Sequence, residues 1–509
     1  MVKLDKYLTL IVLTAVASGF FSSYIHMPSS PVPFGNWGLK YSDIVYGVFY
    51  PRFLELGSAR GRYWYSTAVI DELVEGRVLC PAPYVDYFFE YPPVVGVLWF
   101  LSTCAALTLT PRGGGVSYVE FISAVAEVHF LINAVVLVVS MTLTSVLIYR
   151  TLEGSPGLRR TNRALLYLIL PSVLLYTTYN WDSLCSLLAL SSLVVLDRGR
   201  GKWRFLVAGV LLGLSIATKL LTAPIALVLL VYLLNQSLRR DNCGKDYMHF
   251  LLGLLASGGI PYIVVLLVAP RAFLDFLTYH STWYCENCIY SIVVHDIFSP
   301  IHRLAATATV LAFTLAVTVA LLRRGFKGFS RRIYEVALCA VGSAVIFNYV
   351  STPQMLLLLT PLALVTLNGT ELVLYVLSDV LNASIMLAFF SDEAIRAVLS
   401  SLGVPIEVKY SPWTPDSPVQ WLAYARSTLL IALLIRKLIH LYTADLLPAM
   451  NGEGSCYCGE VRGYTPSSRG FNPGRVSGLL PLPLPGLGVM DTLTIISRGS
   501  QILNARHRA

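Results

Sequence analysis

What most constrains this chain is a succession of apolar stretches, each long enough to cross a lipid bilayer. A spanning helix needs about 20 such residues. The sequence offers candidates at 7–25, 119–149, 164–179, 182–196, 205–221, 222–238, 249–269, 302–322, 333–350, 353–368, 371–390 and 421–443. Continuous apolar runs in lipid must satisfy their backbone groups within the segment, which selects the α-helix. The pattern therefore predicts an all-α polytopic membrane protein with about 12 transmembrane helices. Several stretches are short or separated only by a tip, as in tight hairpins buried among other helices. Composition agrees: 13% of residues are charged, against roughly a quarter in soluble domains, and the mean hydropathy is +0.65.

The net charge of +9 reads as positive-inside bias, because the basic residues fall in short inter-helix loops. Arg150, Arg159, Arg160 and Arg163 mark one cytoplasmic loop. Arg198, Arg200, Lys202 and Arg204 mark a second, Arg239, Arg240 and Lys245 a third, and Arg323, Arg324, Lys327, Arg331 and Arg332 a fourth. No basic patch of the kind that grips nucleic acid results. The opposite, extracytoplasmic side then holds the first outer loop 26–118, the tips near 180, 220 and 352, and the loops 270–301 and 391–420. Residues 92–110 are apolar enough to span, yet a crossing there would place the Arg150–Arg163 loop outside. A re-entrant or interface-lying segment is expected instead, opened by Pro92 and Pro93.

The N-terminal stretch follows Lys3 and Lys6, is long for a signal peptide and lacks a clean A-x-A site, so it reads as a retained anchor in the cell membrane with a cytoplasmic N-terminus. Residues 1–446 form the membrane domain. Residues 447–509 are rich in Gly, Pro and Ser and read as a disordered cytoplasmic tail. Of nine cysteines, Cys104, Cys185 and Cys339 sit in apolar runs as small core residues. Cys285 and Cys288 form a CxxC in a polar loop, where a disulfide or no bond ranks above a metal site. Cys456 and Cys458 form a CxC in the tail.

The outer side concentrates charge beside aromatics. Its first loop reads LKYSDIVYGVFYPRF, YWYSTAVIDELVEGR and PYVDYFFEYPP. Plain connectors are short, so a long aromatic and acidic loop suggests a substrate platform. Asp43, beside Tyr41, reads either as a general base at the membrane surface or as a helix N-cap. Asp86 and Glu90 share a face if helical, although the following Pro-Pro fits an extended approach equally; they read as hydroxyl ligands, acid/base groups, metal ligands or solvated acids. Lys219 has no charged neighbour between Arg204 and Arg239 and sits at an outer tip. It suits a lipid phosphate, or else snorkels. Asn180, Asp182 and Gln354 occupy outer tips as site residues or caps. Arg271, His280, His295 and Arg303 add positive charge in or beside the 270–303 loop.

These motifs resemble the GT-C superfamily of glycosyltransferases, nearest to the archaeal and bacterial polyprenyl-phosphate-mannose type and more distantly the catalytic subunit of GPI mannosyltransferase I. The resemblance spans roughly residues 1–370. The SDIVYGVFYPRF and FEYPP segments are similar to that group's first luminal loop. GVLLGLSIATKLLTAP is similar to its Gly-rich helix ending in Lys before Pro, and STPQMLLLLTPL to its Ser-Gln-aromatic segment. The chain departs from the pattern at Val45, where the GPI enzyme has a second acid, which leaves a divalent metal open as the only cofactor in question. It departs again at Met355, where an aromatic is usual.

The resemblance implies inverting transfer of a hexose, mannose first, from a polyprenyl-phosphate carrier to a hydroxyl of a glycan, lipid or protein on the extracytoplasmic face. Asp43 takes the base role. Lys219, with Arg271 or Arg303, stabilises the leaving phosphate. Tyr41, Asp86, Glu90, Tyr91, Asn180, Asp182, His280 and Gln354 complete the expected substrate contacts. The competing readings are a transporter or lipid-linked-glycan flippase, which predicts internal repeats that the sequence does not display, and a non-catalytic assembly subunit, which predicts that Asp43 tolerates Asn.

Overall fold

The computed structural model describes residues 5–54, 66–75, 77, 80–112, 115–201, 203–239, 244–324 and 329–443. The tail 447–509 with Cys456 and Cys458, and Lys3, Lys202, Arg240 and Lys327, lie outside the described residues. The α-helices are α1 (Lys6–His26), α2 (Trp37–Lys40), α3 (Thr67–Val74), α4 (Pro93–Leu109), α5 (Tyr118–Thr151), α6 (Gly157–Ile169), α7 (Pro171–Tyr176), α8 (Asp182–Arg198), α9 (Arg204–Thr218), α10 (Ala223–Arg239), α11 (Gly244–Leu254), α12 (Ile260–Val268), α13 (Pro270–Thr282), α14 (Pro300–Arg324), α15 (Phe329–Ile346), α16 (Thr360–Thr366), α17 (Thr370–Phe390), α18 (Asp392–Ser401) and α19 (Pro418–Thr443). A π-helix, Asp43–Leu54, follows α2. No strand forms among the described residues.

The fold is all-α and multi-pass, but the expected dozen spans resolve differently. Among the described residues six helical segments are long and apolar enough to cross a membrane: Lys6–His26, Tyr118–Thr151, Leu220–Arg239, Gly244–Val268, Pro300–Arg323 and Thr370–Phe390. The stretch 164–179 is broken at Pro171, which cannot continue a helix interior, into α6 and α7. The stretch 353–368 is a 3-10 turn, Pro353–Leu358, followed by the seven-residue α16, and this whole piece is buried. The stretch 205–221 stops at Thr218, because Lys219 is extended (φ −158°, ψ 123°). Residues 92–110 become α4, 17 residues opened by Pro93 and packed on α5, α9 and α12.

Local chemistry sets the helix ends. Asp5 caps α1, accepting from Tyr7 N at 3.1 Å, and its other oxygen accepts from Tyr149 Oη at 2.6 Å, tying the start of α1 to the end of α5. Ser117 and Glu120 form a capping box at the start of α5, which runs for 34 residues.

Two large hydrophobic cores result, with a small third cluster of Ile385, Ala388, Val419 and Ala423 where α17 meets α19. The larger joins α1, α5–α11, α14–α17 and α19. The second is formed by the π-helix, the 84–107 segment and the first half of α5, around Phe49, Phe53, Tyr87, Phe89, Trp99 and Trp181. Among the described aromatic residues of the first loop, Phe49, Phe53, Tyr84, Tyr87, Phe89 and Trp99 are buried in its own core, each worth about 1.5–3 kcal/mol of transfer free energy. Tyr41, Tyr46, Tyr50 and Tyr91 remain half-buried.

Glycine governs the packing of α9 on α11. A Cβ on Gly209 would lie 2.2 Å from Phe250 O, and one on Gly253 2.3 Å from Leu206 O, so the two backbones touch with no side chain between them. Gly253→Leu is expected to force the helices apart and destabilise by about 1–3 kcal/mol, read as a lower melting midpoint in detergent. Gly244, whose Cβ meets nothing within 4 Å, is the control position.

Candidate functional site

Three broken segments bring polar groups to one point. At the first, the chain leaves α2 and enters the π-helix. Asp43 N and Ile44 N donate to Tyr179 O at 3.1 and 3.4 Å, docking this backbone on the tip between α7 and α8. Capping here falls to Ser42, whose Oγ accepts from Val45 N at 3.4 Å, which frees the Asp43 carboxylate to face Asn180 and Gln354. Gly47 makes room beneath it: a Cβ there would sit 3.0 Å from Tyr41 Oη and 3.3 Å from Asp43 Oδ1.

Asp43 Oδ2 accepts two side-chain amide hydrogen bonds, from Asn180 Nδ2 at 2.8 Å and from Gln354 Nε2 at 3.2 Å. Oδ1 accepts none among the described residues. Asn180 is oriented by its own Oδ1, which accepts from Trp181 N at 2.6 Å; its Nδ2 also reaches Tyr91 Oη at 3.4 Å. Gln354 is set by its backbone, since Asn382 Nδ2 donates to Pro353 O at 2.8 Å. Its Oε1 is buried and has no partner among the described residues.

The third segment is the break after α9. Its extended Lys219 sends Nζ to Asp182 Oδ1 at 2.6 Å, at the first residue of α8. Asp182 is fully buried, and its Oδ2 has no partner among the described residues. Burial pushes the Asp43 carboxyl up to about 7; the Asn180 hydrogen bond and the Lys219 charge oppose this, while the Glu286 and Asp182 charges add to it. Asp43 is therefore a carboxyl near its titration point at neutral pH, with one oxygen tied and one free.

Other expected site residues form the support. Glu90 pairs with the fully buried Arg52, whose Nε donates to Phe88 O at 3.2 Å. His280 donates from Nε2 to Glu90 O at 2.8 Å, and burial lowers its pKa, keeping the ring neutral. Tyr84 Oη donates to Tyr91 O at 2.6 Å. The FEYPP run is thus extended and clamped, with Tyr91 delivered to Asn180. Asp86 does not share a face with Glu90; it closes a local turn by accepting from Ala82 N at 2.7 Å. Tyr41 packs its ring against Tyr46, Tyr179 and Phe390. Arg271 is mostly exposed and pairs with Asp275 at 3.8 Å on its own helix. Arg303 approaches Trp283 O at 3.5 Å, and His295 is exposed.

Sequence reasoning missed Glu286. Its backbone bridges Tyr349 and Ser351 (Glu286 N to Tyr349 O and Ser351 N to Glu286 O, both 2.9 Å), three residues before Gln354. Its carboxylate accepts from Trp283 Nε1 at 2.8 Å and is raised by burial. The available signal was an acid inside the CxxC. Cys285 and Cys288 are joined as a disulfide, the arrangement ranked above metal from sequence. Among the described residues the acids around Asp43 form no three-ligand cluster.

Glu90→Gln removes the carboxylate that carries the buried Arg52 charge. It is expected to cost about 3–5 kcal/mol, checked by thermal unfolding against Asp43→Asn. The latter should gain stability relative to wild type as pH rises from about 4 to about 7. A raised acid holds its proton in the folded state, so ionisation in that window works against folding only where Asp43 is present.

No family model and no curated protein matches the chain. Among solved structures it is similar to the crystal structure of ArnT from Cupriavidus metallidurans bound to undecaprenyl phosphate. Identity is 13%, the TM-score is 0.39, and the alignment covers 86% of this chain and 79% of that one. At that degree the likeness carries none of the functional reading, which rests on this chain's own residues.

Proposed function

We propose that this membrane protein transfers a hexose, mannose first, from a polyprenyl-phosphate carrier to a hydroxyl acceptor, with inversion, and that Asp43 is the general base. One observation carries the reading: a carboxylate whose Oδ2 is held by Asn180 and Gln354 while Oδ1 stays open, beside the Lys219 ammonium. An inverting displacement needs a positioned oxygen to take one proton and a cation to receive one leaving phosphate.

The acceptor hydroxyl gives its proton to Asp43 Oδ1 as its oxygen bonds to the anomeric carbon. The bond from that carbon to the phosphate oxygen breaks on the opposite face, and its electron pair leaves with the polyprenyl phosphate. Lys219 has three donors and spends one on Asp182, so two remain for phosphate oxygens. Asp182 holds the ammonium in place and tempers its charge until the dianion forms. Asn180 and Gln354 keep the carboxylate from rotating, and Tyr91 closes the wall beside Asn180. Arg303 and Arg271 are assigned at most to the approach of the anionic carrier, and the active face is extracytoplasmic.

Membranes carrying wild type are expected to transfer radiolabelled mannose from polyprenyl-phosphate-mannose. Asp43→Asn at equal expression should lose about 10²–10⁴-fold, and equal transfer by the two would remove Asp43 as base. No transfer by wild type with any carrier sugar, together with carrier movement across vesicles, would favour a flippase.

Activity should also report the carboxyl's pKa. Only ionised Asp43 accepts a proton, so kcat/KM should fall about tenfold per pH unit below a midpoint near 7 and level off above it. A midpoint near 4 would show that the base is solvated and unlike the group described.

A further inference from the structure

The loop between α13 and α14 holds a cluster that the transfer chemistry does not use. Cys285 and Cys288 are buried. His302, in the first turn of α14, is 1% exposed. Its Nε2 lies 2.8 Å from Asp296 O, and its Nδ1 is buried with no hydrogen-bond partner among the described residues. One ligand atom from each of the three residues lies within 4.8 Å of the others. A disulfide gives a loop a covalent tie, but it does not account for a buried imidazole beside it with one nitrogen unspent.

We propose that Cys285, Cys288 and His302 form a binding site for a zinc-class divalent ion when the two cysteines are thiols. Three features converge on this. Two residues separate the cysteines and thirteen separate Cys288 from His302, within the roughly 12–15 that link a CxxC to a histidine ligand in zinc sites. The carbonyl of Asp296 fixes the proton on Nε2 and leaves Nδ1 bare, the outer hydrogen bond that a metal-ligating imidazole carries. Two sulfurs and one nitrogen suit zinc, whose tetrahedral bonds of about 2.0–2.3 Å set ligand atoms about 3.5–3.8 Å apart, a spacing on the scale of the 4.8 Å that encloses the three ligand atoms here. The fourth position is left to water.

The two forms interconvert by thiol–disulfide exchange. A dithiol reductant supplies two electrons and two protons to open the Cys285–Cys288 bond and itself becomes a disulfide. Metal binding then releases the two thiol protons. The loop holds its place in either form, because Asn287 O accepts from Arg426 Nη2 at 3.3 Å and its Oδ1 from Gln420 Nε2 at 3.3 Å.

The test uses the full chain in detergent with Cys456→Ser and Cys458→Ser, so that tail thiols do not compete, and Co²⁺ as the probe. After reduction with a phosphine, the protein should bind one Co²⁺ with a thiolate-to-cobalt charge-transfer band and tetrahedral d–d absorption. The same protein left unreduced is the matched blank and should show neither. Cys288→Ser should abolish the band, and His302→Ala should weaken Co²⁺ binding by at least about tenfold. The proposal is overturned if reduced protein, with Cys285 and Cys288 alkylatable, gives no band, if Cys288→Ser keeps it, or if His302→Ala binds Co²⁺ as tightly as its parent. The reduced and unreduced parent share one sequence, so that comparison stands even where a variant folds poorly.

Discussion

Two amides from separate turns meet on one carboxylate oxygen, and much of the architecture serves that meeting. Asn180 arrives because Pro171 breaks α6 from α7 and the chain turns back at Tyr179. Gln354 arrives because Pro353 opens a 3-10 turn where a straight helix would have carried the residue away. Asp43 itself lies at the start of a π-helix, a conformation that recurs at functional sites. In each case regular helix is interrupted at the same level, and side chains from three remote parts of the sequence fill the space that opens.

The turn carrying Gln354 is anchored from behind by Arg426. This buried guanidinium donates to Ser351 O at 3.1 Å, to Ser351 Oγ at 3.0 Å and to Asn382 Oδ1 at 2.9 Å. Its partners are all neutral, so α17, α19, the 351–354 turn and the CxxC loop are joined by hydrogen bonds from one guanidinium with no counter-ion. The long first loop is braced differently, by the Arg52–Glu90 pair and the neutral His280. Both devices fix backbone on which a site residue is mounted.

Much of this was legible in the sequence, and what was not has physical reasons. Hydropathy gave the helical class and the positions of the long helices, because lipid leaves so few alternatives. It read 164–179, 205–221 and 353–368 as continuous spans where a proline or an extended residue interrupts the helix, since mean hydropathy registers composition and not continuity. Asn180, Lys219 and Gln354 stood out as polar residues at tips, and Asp43 as an acid in the long loop after the first span. That Lys219 would find Asp182, or Arg52 find Glu90, could not be read, because those partners lie 37 and 38 residues apart and no local periodicity links them. The aromatic loop was read as a platform, yet Phe49, Phe53, Tyr87, Phe89 and Trp99 are its core. An aromatic residue that stacks on a ligand and one that fills a small domain look alike in a string of letters.

The length of α5 has a consequence for where Asp43 lies. A helix of 34 residues rises about 51 Å, while the hydrocarbon layer is about 30 Å thick. Leaning alone would remove that mismatch only at about 54°, beyond the roughly 0–40° that helices adopt. α5 must therefore stand proud of the bilayer, and the part bearing Phe121, Ile122, Val125, Ala126 and Phe130 is the part sheathed by the second core. The loop that presents Asp43 is built around a post, so its height above the lipid is set by helical rise. On the proposed function, a carrier whose phosphate sits at the headgroup level would meet the carboxylate at a fixed elevation, whatever the length of its hydrocarbon tail.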